Sequence, residues 1–153
     1  MRSPRAPALS RADFRALAEW RYALRRFLAA SERIARTEGV SPAQYQLLLF
    51  VAGAPEGGAP AIGYLAERMQ VEHQSAVGLV DRTEKAGLVR RRRDSKNRRR
   101  VLIDLTPKGS RLLGRLAREH FATIEALGSA FLPPLRHRSE PRAKRRPASR
   151  RAP

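Results

Sequence analysis

The sequence contains no cysteine, few aromatic residues and no long apolar run. The absence of cysteine excludes disulfide bonds, thiolate metal ligands and cysteine-based redox sensing. Because no run approaches the roughly 18 apolar residues that a membrane-spanning helix needs, we expect no membrane span. Phe, Trp and Tyr make up only 6% of the chain. This speaks against a surface of stacking rings for single-stranded nucleic acids.

Acidic residues are scarce as well. The 153-residue chain has 14 Asp and Glu against 32 Lys and Arg, which gives a formal net charge of +18. Charge of one sign repels itself unless a polyanion neutralises it, so the composition indicates a nucleic acid or an anionic membrane surface as the partner. The length predicts one domain with a core of its own.

An enzyme is the class of protein that the sequence supports least. His73, His120 and His137 are scattered and lack the spacing of metal ligands. The sequence has no Gly-rich phosphate loop, no nucleophile elbow and no nucleophilic cysteine. We therefore predict no catalytic activity, no metal and no cofactor.

Helical periodicity predicts a long first helix and a long last helix. Apolar residues recur at steps of three and four from about residue 10 to 38, and Gly39 can end this helix. The next helix, at 43–52, is apolar enough to be buried nearly all round. The last helix opens at 107, carries apolar residues as far as Phe131 and is ended by Pro133-Pro134.

Two short helices and a hairpin lie between the long helices. Predicted helices at about 61–69 and 73–86, joined by a brief turn at 70–72, fit a helix-turn-helix. Alternating apolar residues then predict two strands, 88–93 and 98–105, around a polar turn. The predicted fold class is therefore mainly α with a small β-hairpin.

The hairpin is the densest cluster of charge in the chain. Residues 90–100 hold eight Lys or Arg and a single acid, Asp94. Such a cluster is unfavourable unless phosphates neutralise it, and a hairpin tip can reach a minor groove, whose negative potential attracts Arg. The alternative is a solvated hairpin whose charges serve solubility.

The helix predicted at 73–86 carries candidates for reading bases, because the major groove of DNA admits one helix. Gln74 could read adenine, Ser75 could reach a base or a phosphate, Gly78 permits close backbone approach, and Arg82 could pair with a phosphate or a guanine. The alternative is an amphipathic helix whose polar residues meet only water. We predict DNA contacts from His73, Gln74, Ser75, Gly78 and Arg82 on this helix, and from Arg93, Lys96, Arg98 and Arg99 on the hairpin.

Five stretches, in this order, resemble the MarR-type winged-helix regulators: Ile62–Met69, Ser75–Arg82, Lys85–Arg91, Asp94–Arg99 and Leu105–Gly109. With the flanking helices, the resemblance covers about residues 10–132. It implies a winged helix-turn-helix with N- and C-terminal dimerisation helices, which pair with their mates in a homodimer of triangular outline. Each subunit would place its recognition helix in a major groove of double-stranded DNA and its wing along a minor groove.

The chain departs from the family's pattern at two positions. Asn97 stands where the wing of the family has an acid, so an ion pair to the wing Arg is lost or becomes a neutral hydrogen bond. Thr83 stands where the family prefers Leu, which predicts some loss of packing behind the recognition helix. The family's final helix is short or missing, so the dimer interface is either smaller than usual or made mostly by the first and fifth helices.

The resemblance also implies a small aromatic or phenolic effector, held between the dimerisation helices and the DNA-binding lobe. Trp20, Arg21 and Tyr45 are the candidates for such a pocket, and Tyr22 and His120 could join them. Rings at helical spacing also suit an ordinary core, so this alternative stays open.

These patterns divide the chain into three parts. We predict a flexible arm over 1–9, a single winged-helix domain over 10–135 and a disordered basic tail over 136–153. The domain would contain a DNA-binding lobe at about 41–106 and dimerisation helices at about 10–38 and 107–132.

The function predicted from the sequence is a sequence-specific DNA-binding transcriptional regulator, with a repressor favoured. It would act as a homodimer on a pseudo-palindromic operator, in the cytoplasm and associated with the nucleoid. The alternative is a non-specific nucleoid-type or RNA-binding basic protein, which would rely on charge. The tail could also bind an acidic protein partner or add non-specific DNA affinity.

Overall fold

The computed structural model describes residues 9–55, 58–95 and 97–128. They form five helices and one two-stranded antiparallel sheet: α1 (Arg11–Thr37), α2 (Pro42–Ala52), α3 (Ile62–Met69), α4 (His73–Lys85), β1 (Val89–Arg93), β2 (Val101–Leu105) and α5 (Pro107–Leu127). The prediction of a mainly α fold with a small β-hairpin is confirmed. Within this described part, no helix combines the length and apolarity needed to cross a membrane.

Side-chain caps fix where three of the helices begin. Ser10 and Ser41 each accept a hydrogen bond from the amide three residues on, and the side chains of Asp13 and Gln44 accept one from the cap amide in return. Thr106 also accepts from the amide three residues on, and so caps α5. These bonds satisfy amides that a helix start leaves without an intrahelical partner.

Helix α2 lies at the centre of the core, in contact with α1, α3, α4, α5 and β2. Its Leu47 and Leu48 are fully buried in one cluster with Leu65 of α3 and Leu116 of α5. The prediction that this helix is buried nearly all round is wrong on one face, where Leu49 is 41% exposed.

The hairpin pairs in a single register, with Val89 opposite Leu105 and Arg93 opposite Val101. The segment before α3 adds an isolated antiparallel bridge to β2, between residues 61 and 102. The hairpin is thereby joined to the helix-turn-helix through backbone hydrogen bonds as well as side chains.

The second strand begins later than the sequence pattern predicts. Residues 98–100 were expected in the strand, and that prediction is wrong because they belong to the turn. The Arg100 amide donates to the Asn97 carbonyl at 2.8 Å, and the Asp94 amide donates to the Arg100 carbonyl at 2.9 Å. These bonds close the turn before β2 starts.

The first turn of α5 packs closely against residues 86–88, the segment that links α4 to β1. A Cβ atom on Gly109 would overlap the Leu88 carbonyl oxygen, so only glycine fits at this position. The Thr106 hydroxyl donates to the Gly87 carbonyl at 2.7 Å, and Lys108 Nζ donates to the Ala86 carbonyl at 2.9 Å. These contacts hold the C-terminal end of α4 beside the start of α5.

The N-terminal half of α1 exposes apolar side chains in the single chain. Phe14 and Leu17 are 58% and 48% exposed, and Phe121 on α5 is 66% exposed. Over residues 11–22, only Ala16 and Trp20 are even partly buried. Clustered exposed apolar residues of this kind typically mark an interaction surface.

Some predictions concern residues outside the described ranges. Residues 1–8 of the predicted arm and the predicted tail at 136–153 are among them. The described part of α5 ends at Leu127, and Gly128 follows it with a φ of +52°. The predicted continuation of this helix to Phe131 and Pro133-Pro134 therefore lies outside the described residues.

Candidate nucleic-acid interface

The helix-turn-helix consists of α3, α4 and the three residues between them. Gln70 adopts a left-handed backbone with a φ of +55°, a conformation that glycine adopts more easily. Its side chain donates to the Glu67 carbonyl at 2.9 Å, and the Val71 amide donates to the Ala66 carbonyl at 3.0 Å. These bonds end α3 and turn the chain into α4 without a glycine.

Helix α4 buries one side against the core. Ala76, Leu79, Val80 and Thr83 are its buried residues, whereas Val77 is only partly buried. The Thr83 hydroxyl donates to the Leu79 carbonyl at 2.8 Å. The polar group at this fully buried position is therefore satisfied within the helix.

The opposite side of α4 begins with three exposed polar residues, His73, Gln74 and Ser75. The N-cap residue, Glu72, makes no side-chain cap bond to the first turn. The amides of that turn therefore remain available to a ligand at the positive end of the helix dipole. Such a helix start suits an anionic group such as a phosphate.

Gly78 and Arg82 lie one turn apart on α4. Arg82 Nη1 lies 3.4 Å from the position that a Cβ atom on Gly78 would take. The Arg82 side chain therefore lies back along the helix, over the bare α-carbon and toward the turn that contains Gln74. Arg82 is exposed and forms no ion pair with another described residue.

Arg91 joins β1 to α4. Its amide and guanidinium donate to the two oxygens of Glu84 at 2.7 and 2.5 Å, and a second guanidinium nitrogen lies 2.6 Å from an Asp81 oxygen. Partial burial acts to lower the pKa of Arg91, but the hydrogen bonds and charges of Glu84 and Asp81 outweigh it and raise this pKa above its ordinary value. Sequence reasoning missed this contact, although two acids three residues apart on a helix preceding a basic strand are a signal for it.

Two more arginines of the hairpin pair within the hairpin itself. Arg92 Nε donates to an Asp104 oxygen at 2.6 Å, and Arg100 lies 4.0 Å from a carboxylate oxygen of Asp94. The basic cluster of residues 90–100 is therefore not uniformly available to a polyanion.

The remaining described arginines of this cluster are exposed and form no ion pair with another described residue; these "unpaired hairpin arginines" are Arg90, Arg93, Arg98 and Arg99. Three of them were predicted to contact DNA, whereas Arg90 was not. Strand alternation could have identified it, because Arg91 packs on α4 and its neighbour must point the other way. The remaining predicted contact residue, Lys96, lies outside the described residues.

Asn97 contributes to the turn through its side chain. Its Oδ1 accepts a hydrogen bond from the Arg99 amide at 3.1 Å. This neutral hydrogen bond is made to the backbone of Arg99 and not to its guanidinium, so the ion pair expected to brace the wing Arg is lost among the described residues. The guanidinium of Arg99 is left without an acidic partner among the described residues.

Tyr45, one of the three candidate pocket residues, is packed in the core. It is 6% exposed, its ring stacks on that of His120 with centroids 4.2 Å apart, and burial raises its pKa. The two ring nitrogens of His120 lie 2.7 Å from Ser31 Oγ and 2.6 Å from the Leu116 carbonyl oxygen. This cluster therefore joins α1, α2 and α5 at one buried point.

The other two candidates lie farther along α1. Trp20 is partly buried and Arg21 is exposed. Phe27, which meets the His120 ring edge-on, is seven residues beyond Trp20, or roughly 10 Å along the helix. The three candidates are therefore not gathered at one place within a single chain. Among the described residues there is also no group of three or more His, Asp or Glu that could hold a metal ion.

Residues 38–100 match a model of the MarR family. The matched region contains the helix-turn-helix, the clamp between Arg91 and Glu84, and the turn of the hairpin. Residues 38–100 are therefore a MarR-type region, and the fold that contains them is a winged helix. Members of the matched family are transcriptional regulators and not enzymes. In the winged helix-turn-helix fold the hairpin is called the wing, and the second helix of the motif, here α4, is called the recognition helix.

Two curated proteins resemble the MarR region of this chain. One, from Thauera aromatica, is named as a transcriptional regulatory protein for the hcr operon and is 35% identical over 90 residues, which are 59% of this chain and 52% of that protein. The other is the HTH-type transcriptional repressor MdtR of Bacillus subtilis, 33% identical over 72 residues, 47% of this chain and 44% of MdtR. The chain thus spans about half the length of these relatives.

Solved MarR-family structures share the fold. A MarR family protein from Bacillus stearothermophilus has a TM-score of 0.68 and 24% identity, covering 80% of this chain and 84% of its own. The F27L mutant of Staphylococcus aureus MepR, bound to an oligodeoxyribonucleotide, has a TM-score of 0.61 and 17% identity, covering 72% of this chain and 80% of its own. CouR from Rhodococcus jostii, bound to p-coumaroyl-CoA, has a TM-score of 0.64 and 24% identity, covering 78% of this chain and 81% of its own. At these identities the likeness shows the fold alone.

Proposed function

We propose that this chain is a sequence-specific repressor of transcription that binds a pseudo-palindromic operator in double-stranded DNA as a homodimer. The observation that carries the proposal is the arrangement of two surfaces, the exposed polar side of α4 and the unpaired hairpin arginines. The ion pairs of Arg91 to Asp81 and Glu84 hold these surfaces in one unit. The family of residues 38–100 supports DNA binding, and the relative named as a repressor supports the direction of regulation.

The recognition helix would enter the major groove by its N-terminal end. Gln74 suits the bidentate pattern of adenine, and Arg82, lying back over Gly78, suits either guanine or a phosphate. Ser75 and His73 would contact the backbone or base edges beside them. The wing would follow the adjacent minor groove, where negative potential attracts arginine.

The homodimer would use the exposed apolar side of α1 together with Phe121 of α5. A two-fold axis relating two recognition helices places the half-sites about one helical turn of DNA apart. The dimer would therefore read a site with the same symmetry. The basic tail at 136–153 would add affinity that depends on charge alone.

A small aromatic or phenolic effector would relieve repression by favouring a different spacing of the two lobes. The structure of CouR with p-coumaroyl-CoA supports an aromatic ligand in a protein of this fold. Trp20 and Arg21 on the exposed half of α1 are the residues proposed to meet it, whereas the buried Tyr45 lies apart from them in the single chain. The protein would act in the cytoplasm, associated with the nucleoid.

The test is selection of binding sites from random duplex DNA at roughly physiological salt, followed by sequencing of the enriched pool. The proposal expects a two-fold symmetric site whose half-site spacing fits one helical turn. Tight, strongly salt-sensitive binding without enrichment of any sequence would refute it in favour of a non-specific nucleoid-type or RNA-binding protein. The same pool prepared as RNA separates these two outcomes.

A further inference from the structure

Helix α1 carries a second concentration of positive charge, apart from the hairpin. Its 27 residues include seven arginines and three acids, and all seven arginines are exposed. Arg36 pairs with Glu32 at 3.5 Å, whereas the other six form no ion pair with another described residue. Most of the positive charge of α1 is therefore not neutralised within the part of the chain that the structure describes.

Four of these arginines form one row along the helix, the "arginine stripe": Arg11, Arg15, Arg26 and Arg33. The steps between them are four, eleven and seven residues, and each step returns to nearly the same side of a helix with about 3.6 residues per turn. At about 1.5 Å per residue the stripe is roughly 33 Å long, which is close to one helical turn of B-DNA. Glu19 lies at its edge and is the nearest acid of α1 to it in the helical pattern.

The stripe lies on a different side of α1 from the exposed apolar residues Phe14, Leu17 and Leu28. At about 100° per residue, the two sides are roughly a third of a turn apart. A homodimer that covers the apolar side therefore leaves the stripe exposed. The stripe also belongs to a different surface from the exposed side of the recognition helix, because α1 packs on α2 and α5, whereas α4 packs on α2, α3 and β1.

A groove between α1 and α5 runs beside the stripe. Arg26 and Arg33 border it, and its volume is about 490 Å³. Small side chains form most of its lining: Ala29, Ala30, Ala122, Thr123 and Ala126. Because these side chains are short, a sugar-phosphate backbone can approach the two helices closely between the arginines. Glu119 is the single acid among the described lining residues, and its charge opposes an anion there.

We propose that the arginine stripe binds the phosphate backbone of a second DNA duplex, without sequence preference. Guanidinium groups suit phosphate because they donate two parallel hydrogen bonds and are weakly hydrated. Each contact also releases condensed counterions from the duplex, which favours binding at low salt. A row of one sign that extends over about one turn of B-DNA offers several such contacts at once.

The surroundings of the stripe favour a duplex over other polyanions. A single strand would need aromatic rings on which its bases stack. Tyr22 is the one ring in line with the stripe on α1, and its centroid already lies 5.9 Å from the guanidinium carbon of Arg26. An anionic bilayer would be bound through the apolar side of an amphipathic helix, and the proposed homodimer covers that side of α1.

The consequence is that one protein would hold two duplexes together. One duplex would lie on α4 and the hairpin, and the other along the arginine stripe. An occupied operator would thereby be joined to a distant segment of DNA. This consequence rests on the proposed function, whereas binding along the stripe does not.

The test is capture of a second duplex by the full chain. The protein is bound to an immobilised random-sequence duplex of about four helical turns, and retention of a fluorescent duplex of the same length is measured. Joint replacement of Arg15, Arg26 and Arg33 by Gln, the "stripe variant", should reduce this retention at least about tenfold. The stripe variant should still bind the immobilised duplex through α4 and the hairpin.

The matched control replaces Arg25, Arg111 and Arg118 by Gln. These three arginines are exposed, lie outside the stripe and form no ion pair with another described residue. The control removes the same charge as the stripe variant and should retain the fluorescent duplex. Glu119→Gln should raise retention about twofold to threefold, because it removes the acid of the groove. A loss of folding cannot produce such a gain.

Four results would overturn the proposal: no capture of a second duplex by the unsubstituted protein, capture that survives in the stripe variant, equal losses in the stripe and control variants, or stronger capture of double-stranded RNA of the same length. Survival in the stripe variant would assign the second duplex to another part of the chain, such as the basic tail. If α4 and the hairpin did not bind DNA, titration with a single duplex would still show a loss in the stripe variant alone. Failure of the proposed function is therefore distinguishable from failure of the stripe.

Discussion

Glu84 accepts hydrogen bonds from both the backbone amide and the guanidinium of Arg91, one on each carboxylate oxygen. The contact joins the last turn of the recognition helix to the middle of β1. A side chain held at both its base and its tip has little freedom to swing. The direction in which the wing leaves the recognition helix therefore depends on this pair, and the adjoining Asp81 reinforces it.

Arg91→Gln should destabilise the protein by about 1–2 kcal/mol, because it leaves Glu84 and Asp81 without their charged hydrogen-bond donor. Operator affinity should fall as well, since the wing loses its fixed direction. Urea unfolding measures the first effect and fluorescence anisotropy with labelled operator the second. Arg90→Gln is the matched control for stability, because that neighbour forms no ion pair with the described residues. Equal stability of the two variants would contradict the clamp.

Gly109→Ala should cost about 3 kcal/mol or more, because the new methyl group overlaps the Leu88 carbonyl and forces α5 away from β1. Gly114→Ala, on the same helix, is the control. There the nearest atom to a new Cβ is Arg118 Nη1 at 3.9 Å, so alanine should stabilise the helix by about 0.5–1 kcal/mol. Chemical unfolding of both variants checks the pair, and losses of similar size at both sites would count against the close contact.

Gln74→Ala should change the base preference at one position of each half-site. The loss of a bidentate contact removes about 1–3 kcal/mol of discrimination there and little elsewhere. Binding to a set of operators with single substitutions measures it. Gln46→Ala removes a glutamine from α2 that is also exposed and should leave the preferences unaltered. A uniform loss over all the operators would mean that Gln74 does not read a base.

Joint replacement of Arg98 and Arg99 by Gln should weaken binding to every DNA sequence and flatten its salt dependence. Each lost phosphate contact reduces the steepness of log K against log salt by about 0.9, or by up to about 3.6 for the four arginines of the proposed dimer. Arg25 on α1 and Arg118 on α5, both exposed, give a control with the same loss of charge. If both double variants flatten the slope equally, the wing has no special contact with phosphate.

Glu38 should make stability depend on pH in the acid range. The hydrogen bond from Arg115 lowers the pKa of Glu38 below its ordinary 4.5. A depressed acid stabilises the fold above its unfolded-state pKa, and this contribution is lost as the pH falls through the folded-state pKa. The difference in Tm between the protein and Glu38→Gln should therefore be largest near neutral pH and vanish well below pH 4.5. In an Arg115→Gln background the same substitution should have no such pH dependence; persistence of the difference would assign it to another partner.

Local signals made much of the fold predictable from the sequence. Ser10, Ser41 and Thr106 cap helices through residues only three positions away, and such short-range hydrogen bonds are visible as motifs. The helix-turn-helix was predictable from two short helices joined by a three-residue turn, even though Gln70 in that turn adopts a left-handed conformation that is more common for glycine. By contrast, Arg98 to Arg100 directly precede a stretch with strand periodicity, so the sequence pattern extends the strand over them. They lie outside β2 because Asn97 accepts hydrogen bonds from the amides of Arg99 and Arg100, which close the turn.

The availability of charge at the candidate site was less predictable. Composition does not distinguish the arginines of the hairpin from one another. Contacts with acidic residues do distinguish them, because some of these arginines form ion pairs and others form none with the described residues. Whether Arg91 binds Glu84 or is available to a phosphate depends on the position of β1 relative to α4. A local sequence pattern does not predict that position. The same holds for Tyr45 and His120, whose stacking joins residues 75 positions apart in sequence.

The unpaired hairpin arginines place four like charges on one hairpin of the free protein. Higher ionic strength screens their mutual repulsion and thereby stabilises the free fold. The same ions weaken the complex, because counterions released from DNA are harder to release into a concentrated solution. Salt thus moves folding and binding in opposite directions through one set of side chains. Conditions that best preserve the isolated protein are consequently those in which it holds DNA least.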